Sequence, residues 1–118
     1  MTNVQNSKER RKDPRKPVHI RIKYKIINQF FEDYIKNISL GGIFVATVDP
    51  LPVRTRLKVQ FTLPNMKNTI RTEGIVVHSI RQSEKDKPQV SGMGIKFSDL
   101  DAETKRLVEA YIIQSRAL

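Results

Sequence analysis

Apolar and polar side chains alternate strictly from Val18 to Ile26, and this pattern limits the fold more than any other feature of the chain. Successive side chains of a β-strand point to opposite faces, so strict alternation predicts a strand with one buried face. The predicted outer face is strongly basic. It carries His19, Arg21, Lys23 and Lys25, opposite an inner face of Val18, Ile20, Ile22, Tyr24 and Ile26.

Five further strand-like runs follow, at residues 30–38, 43–47, 57–63, 70–80 and 90–97. Turn residues separate them, notably at 28–29, 49–52 and 64–68, and we expect the charged loop 83–88 to be mobile. Gly74 predicts a bulge or bend, while Gly92 and Gly94 predict tight curvature or close approach of another backbone. Short strands at this spacing predict an all-β-dominated fold, an antiparallel barrel.

The sequence period changes after the last strand. From Leu100 to Ser115 apolar side chains recur at helical spacing, which predicts one amphipathic helix. Asp101 is the predicted N-cap, and Glu103 and Arg116 carry charges that suit the two ends of the helix dipole. We expect the helix to cover an open barrel end with a stripe made of Leu107, Val108, Tyr111 and Ile112.

Positive charge is concentrated near the N-terminus. The length of 118 residues predicts a single domain. The net charge of +10 predicts an anionic partner, although a solvated basic tail would give the same charge. Residues 1–17 lack a hydrophobic period and contain Pro14 and Pro17, so they are predicted to form a flexible arm ahead of a domain at 18–118.

The segment Asn37-Ile38-Ser39-Leu40-Gly41-Gly42 lies between two apolar, β-rich runs and is predicted to form a turn. Asn37 and Ser39 supply side-chain oxygens there. Gly41 and Gly42 are expected to supply positive φ and close access to the backbone. A ligand could therefore approach the main chain at this turn.

The order of three motifs gives the chain a family resemblance. Arg11 and Arg15 form an Arg-x-x-x-Arg pair upstream of the turn, and Gly92-Met93-Gly94-Ile95-Lys96-Phe97 closes the last strand. Together with the Asn-x-Ser-x-x-Gly turn, they resemble the PilZ family of bacterial receptors for cyclic di-GMP. The resemblance covers most of the chain, and it implies a six-stranded antiparallel barrel with a C-terminal helix.

The resemblance also implies a binding site. Guanidinium groups pair bidentately with phosphate oxygens and with guanine O6 and N7, which suits Arg11 and Arg15. Asn37 and Ser39 would accept hydrogen bonds from guanine, beside an open backbone at Gly41 and Gly42. Since Asn37 is an uncharged amide, the contact lacks the strength of a carboxylate. The alternative is a purely structural role, with an Asx-type turn beside a solvated arginine pair.

The resemblance further implies that Arg10, just ahead of the pair, accompanies binding of cyclic di-GMP as a stacked dimer. Two stacked ligands carry twice the phosphate charge and present additional guanine edges, so they require more cationic donors. The alternative is that Arg10 is one more solvated charge on the arm.

Catalysis and metal binding are not expected. His19 and His78 have no Cys, His or carboxylate at ligand spacing, and Ser39 is not in a nucleophile elbow. Gly92-Met93-Gly94 lacks the third glycine and following helix of a dinucleotide loop. We therefore expect a receptor without enzymatic activity, cofactor or metal.

Two other functions are alternatives to the receptor. A small basic barrel could bind single-stranded nucleic acid, but Tyr24, Phe61 and Phe97 fall on predicted core faces, so nucleic acid is disfavoured. A PilZ-like adaptor that binds only proteins is disfavoured because both halves of the motif are present.

The absence of cysteine, of an apolar leader and of an apolar run near ~20 residues predicts a cytoplasmic protein without membrane insertion. The downstream protein partner, in motility, biofilm or other regulation, is not specified by the sequence.

Overall fold

The computed structural model of the protein describes residues 15–64, 66–81 and 91–116. Six strands and one helix follow one another within these ranges, as the alternation and the later helical period predicted. They are β1 (Lys16–Ile26), β2 (Gln29–Ile38), β3 (Gly42–Ala46), β4 (Arg56–Thr62), β5 (Thr69–Ile80), β6 (Gly92–Phe97) and α1 (Ala102–Arg116). The predicted loop at 83–88 lies outside the described residues.

The six strands close into a barrel in the order β1-β2-β3-β6-β5-β4, and every neighbouring pair is antiparallel. Closure depends on β1, which pairs with β2 along one edge and with β4 along the other. The first strand begins at Lys16, two residues before the predicted start. Lys16 and Pro17 were predicted to belong to the arm, but they pair with Ile38 and Asn37 of β2.

The barrel interior is filled by the inward-facing residues of all six strands, as the period of two requires. Ile22, Ile35, Val45 and Met93 are completely buried. The aromatic rings assigned to the core are also buried, and Tyr24 keeps its hydroxyl satisfied by donating to Asp33 Oδ2 at 2.6 Å. No buried side-chain nitrogen or oxygen lacks a hydrogen-bond partner in the part of the chain that the structure describes.

Helix α1 adds Val108 and Ile112 to the same core and packs Tyr111 against it, whereas Leu107 of the predicted stripe is only half-buried and does not belong to the core. Asp101 is its N-cap, since the Thr104 amide donates to Asp101 Oδ1 at 2.7 Å. Hydrogen bonds from Thr104 hold the pKa of Asp101 below its usual value, because they stabilise the ionised carboxylate. No helix among the described residues is both long and apolar enough to cross a bilayer.

The β1–β2 turn differs from the prediction by one residue. Ile26 pairs with Gln29, so the two-residue turn is Ile27-Asn28 rather than Asn28-Gln29. Ile27 has a φ of 50° and is 90% exposed, an uncommon conformation for a β-branched residue. The pairing of the two strands therefore places Ile27 in the turn, although an isoleucine is unfavourable at that position.

Gly74 does not form the predicted bulge. Its pairing with β4 is regular, and the irregularity in β5 falls between Val76 and His78. The glycine is needed for packing instead, because an added Cβ would lie 2.6 Å from Ile95 Cγ2. Gly92 matches the prediction of close backbone approach, since its Cβ would overlap the Val45 carbonyl oxygen.

Candidate functional site

The turn between β2 and β3 is organised by the hydroxyl of Ser39. Its Oγ accepts hydrogen bonds from the amides of Gly41 and Gly42, both at 3.2 Å, and lies 3.3 Å from the Gly42 carbonyl oxygen, to which it can donate. The Ser39 amide also donates to the Gly42 carbonyl, at 2.9 Å. Only 6% of Ser39 is exposed. The hydroxyl predicted to meet a ligand is therefore engaged by the turn itself.

The two turn glycines are held against β6. The carbonyl oxygen of Gly41 accepts a hydrogen bond from the Phe97 amide at 2.9 Å. A Cβ on Gly42 would overlap the carbonyl oxygen of Ile95, so no larger residue fits there. The expectation of positive φ at these glycines was wrong, because none of the described glycines has positive φ. Close packing of β3 on β6 is the reason for Gly42.

Arg15 and Asn37 bring the two halves of the motif together. The Arg15 Nη1 donates to Asn37 Oδ1 at 2.9 Å, although the residues are far apart in sequence. The cause is the register of the β1–β2 pair, in which Lys16 lies opposite Ile38 and Pro17 opposite Asn37, so that Arg15 comes beside the turn. Arg15 is exposed and Asn37 is half-buried. A cationic fork thus lies at the solvent-facing edge of an ordered turn.

A second contact at this end of the barrel was not foreseen. The Lys16 ammonium lies 5.4 Å from the centroid of the Tyr111 ring, within range for a cation–π interaction. It joins the start of β1 to α1, so the residue after Arg15 touches the last helix. No sequence pattern signals such a contact, because it joins opposite ends of the chain.

The remaining predicted residues have different outcomes. Arg10 and Arg11 lie outside the described residues, so their positions relative to the turn stay predictions. His19 stacks on Tyr34, with ring centroids 4.1 Å apart, and His78 packs beside Gly94. Within residues 15–64, 66–81 and 91–116, no three His, Cys, Asp or Glu side chains lie close enough together to hold a metal ion.

Chemically, the site can hold an anion or the edge of a polar heterocycle. Arg15 offers up to five N–H donors in a fixed fork, while the Asn37 amide offers both a donor and an acceptor. The turn below them is fixed by its own hydrogen bonds, so it needs little rearrangement to meet a ligand.

The family model described as the PilZ domain matches residues 9–114, which is nearly the whole chain. The chain belongs to the PilZ domain family. No curated protein sequence matches it at a significant level.

Several solved structures have the same fold. The PilZ domain of Escherichia coli YcgR with c-di-GMP superposes with a TM-score of 0.70 at 16% identity, covering 90% of each chain. The Bacillus subtilis inhibitor of motility MotI/DgrA gives a TM-score of 0.75 at 22% identity, covering 92% of this chain and 51% of that one. MrkH of K. pneumoniae with c-di-GMP gives 0.71 at 21% identity, covering 91% and 54%. This PilZ chain therefore spans about half the length of MotI/DgrA and of MrkH.

The arrangement of the turn predicts that Ser39→Ala destabilises the protein. Removing the hydroxyl leaves the Gly41 and Gly42 amides without their acceptor in a poorly solvated turn, which costs about 1–3 kcal/mol of unfolding free energy. Urea denaturation measures the loss. Thr62→Ala is the matched control, since its hydroxyl meets Thr69 at an exposed position and water can replace it. Equal stability of Ser39→Ala and wild type would contradict this account of the turn.

Proposed function

We propose that this PilZ protein is a receptor for cyclic di-GMP that passes the signal to a protein partner. The observation that carries the proposal is the hydrogen bond from Arg15 to Asn37, which joins the arginine motif to the turn. Membership of the PilZ family supports it, as do the solved relatives whose structures contain c-di-GMP. The likeness to an inhibitor of motility suggests motility as the regulated process.

The ligand and the residues are chemically complementary. Cyclic di-GMP presents two phosphodiesters and two guanines, and the guanidinium groups of Arg11 and Arg15 suit both kinds of acceptor. The Asn37 oxygen has a second lone pair, so it can accept from guanine while it still holds Arg15. Without the ligand, the same hydrogen bond keeps Arg15 beside the turn and lowers the entropic cost of binding.

Ser39, Gly41 and Gly42 contribute in a different way. The Ser39 hydroxyl is already committed to the turn, so its proposed role is to fix the backbone that faces the nucleotide. The glycines allow the turn to pack closely on β6, which holds that backbone in place. The site therefore combines arginines on the arm with a rigid turn on the barrel.

The binding proposal predicts that Arg15→Ala and Arg11→Ala each weaken cyclic di-GMP binding and leave the barrel folded. Each substitution removes a charge-assisted contact worth about 1.5–3 kcal/mol, which is about tenfold or more in affinity. Isothermal titration calorimetry measures the loss. Arg106→Ala, an exposed arginine on α1, is the matched control and should bind like wild type. Wild-type affinity in both motif variants would refute the assignment.

We further propose that residues 1–15, the part of the arm ahead of β1, order over the bound nucleotide and that the partner recognises the covered surface. The arm has no hydrophobic period but contains both motif arginines, so the ligand would supply the missing interactions. We expect amide exchange in residues 8–15 to slow on addition of cyclic di-GMP, as measured by mass spectrometry. Equally fast exchange with and without ligand would count against the ordering, even if calorimetry shows binding.

Arg10 leads to a prediction about stoichiometry. A stacked ligand dimer would use Arg10 to stack on, or donate to, the guanine of the second molecule, while Arg11 and Arg15 hold the first. Titration should give two ligands per protein chain for wild type and a ratio falling toward one for Arg10→Leu. A ratio of one for both proteins would exclude the stacked dimer.

A further inference from the structure

A basic groove crosses the outer surface of the barrel at the end away from the β2–β3 turn. It has a volume of about 720 Å³ and spans β2, β1, β4 and β5. Lys25 comes nine positions after Lys16 along β1, so at ~3.3 Å per residue the two lie up to about 30 Å apart along the strand. The residues that define this outer groove are Lys23, Lys25, Phe30, Glu32, Lys58 and Arg71.

Strand register places two of its cations directly against each other. Lys25 and Lys58 are direct partners across the β1–β4 pair that closes the barrel, and both side chains belong to the outer face. Like charges at directly opposed positions destabilise a sheet. None of Lys23, Lys25, Lys58 and Arg71 forms an ion pair with another described residue. An anionic partner would relieve this repulsion.

An exposed aromatic ring completes the groove. Phe30 is 75% exposed, and the Lys25 ammonium lies 5.5 Å from its ring centroid. Exposed aromatic side chains are typical anchors of protein interfaces. The groove therefore offers an apolar contact at one edge and unpaired positive charge beside it.

The other rings on this surface are unsuited to stacking nucleic-acid bases. Phe31 is stacked on Tyr24 with centroids 5.0 Å apart, and Tyr34 is stacked on His19. Single-stranded nucleic acid binds on successive open rings along a uniformly positive path. Here only Phe30 is largely open, and the carboxylate of Glu32 lines the groove and would repel phosphates. A peptide can place its carboxylates selectively, so it fits better.

We propose that the outer groove binds an acidic segment of a partner protein, with carboxylates on Lys25 and Lys58 and an apolar side chain on Phe30. The surface is separate from the nucleotide site, so this binding does not depend on the proposed receptor function. The probe is a fluorescein-labelled peptide in which aspartates flank a central leucine. Its control replaces each aspartate by asparagine, and an oligothymidylate tests nucleic acid.

Fluorescence anisotropy should show binding of the acidic peptide, weakened about tenfold by Lys58→Glu and by Phe30→Ala. Lys105→Glu, on α1, and Lys12→Glu, in the arm, make the same charge change elsewhere and should keep wild-type affinity. Equal weakening by all three charge reversals, or no binding of the peptide at all, would overturn the proposal. So would tighter binding of the oligothymidylate, which would assign the groove to nucleic acid.

A second measurement does not require a partner. Lys58→Gln removes the positive charge that lies opposite Lys25. The free protein should therefore melt at a higher temperature than wild type at low ionic strength. Salt should reduce the difference. A lower melting temperature for Lys58→Gln would show that the opposed lysines are not under strain and would remove the argument for an anionic occupant.

Discussion

The pairing of β1 with β4 closes the sheet, and the rest of the structure depends on it. Closure buries the inward faces of all six strands around one core, with α1 packed against it. Because β1 is shared by two pairs, its two ends lie on surfaces of different character. The start of β1 carries Arg15 to the β2–β3 turn, and its end places Lys25 beside Lys58. The register of one strand thus determines both surfaces.

Much of the fold could be predicted because its signals are periodic. Alternation along 18–26 is repeated in the later strands, and the change to helical spacing marks α1, so element type and order followed directly. The exceptions are set by tertiary contacts. Cross-strand pairing moves the first turn to Ile27-Asn28, and the regular pairing of Gly74 shows that its role is steric. No local pattern contains that information.

The candidate site was predicted less completely. The association of Arg15 with Asn37 follows from an antiparallel β1–β2 pair, so its sequence separation was not an obstacle. The internal contacts of Ser39 and Gly42 were not predicted, because the sequence does not tell which neighbour hydrogen-bonds to a hydroxyl or faces a glycine. In the structure both act within the protein: Ser39 on its own turn and Gly42 against Ile95.

These internal contacts change how the motif should be interpreted in related proteins. The serine and the second glycine are required for a turn that packs on β6, so selection for folding alone would retain them. The exposed arginine has no comparable role in the core. If the arginines bind a nucleotide, as proposed above, a PilZ domain that lost its ligand during evolution would keep an intact turn while its arginines changed. On that proposal the turn marks the ancestry of the domain, and the arginines mark the retention of a ligand.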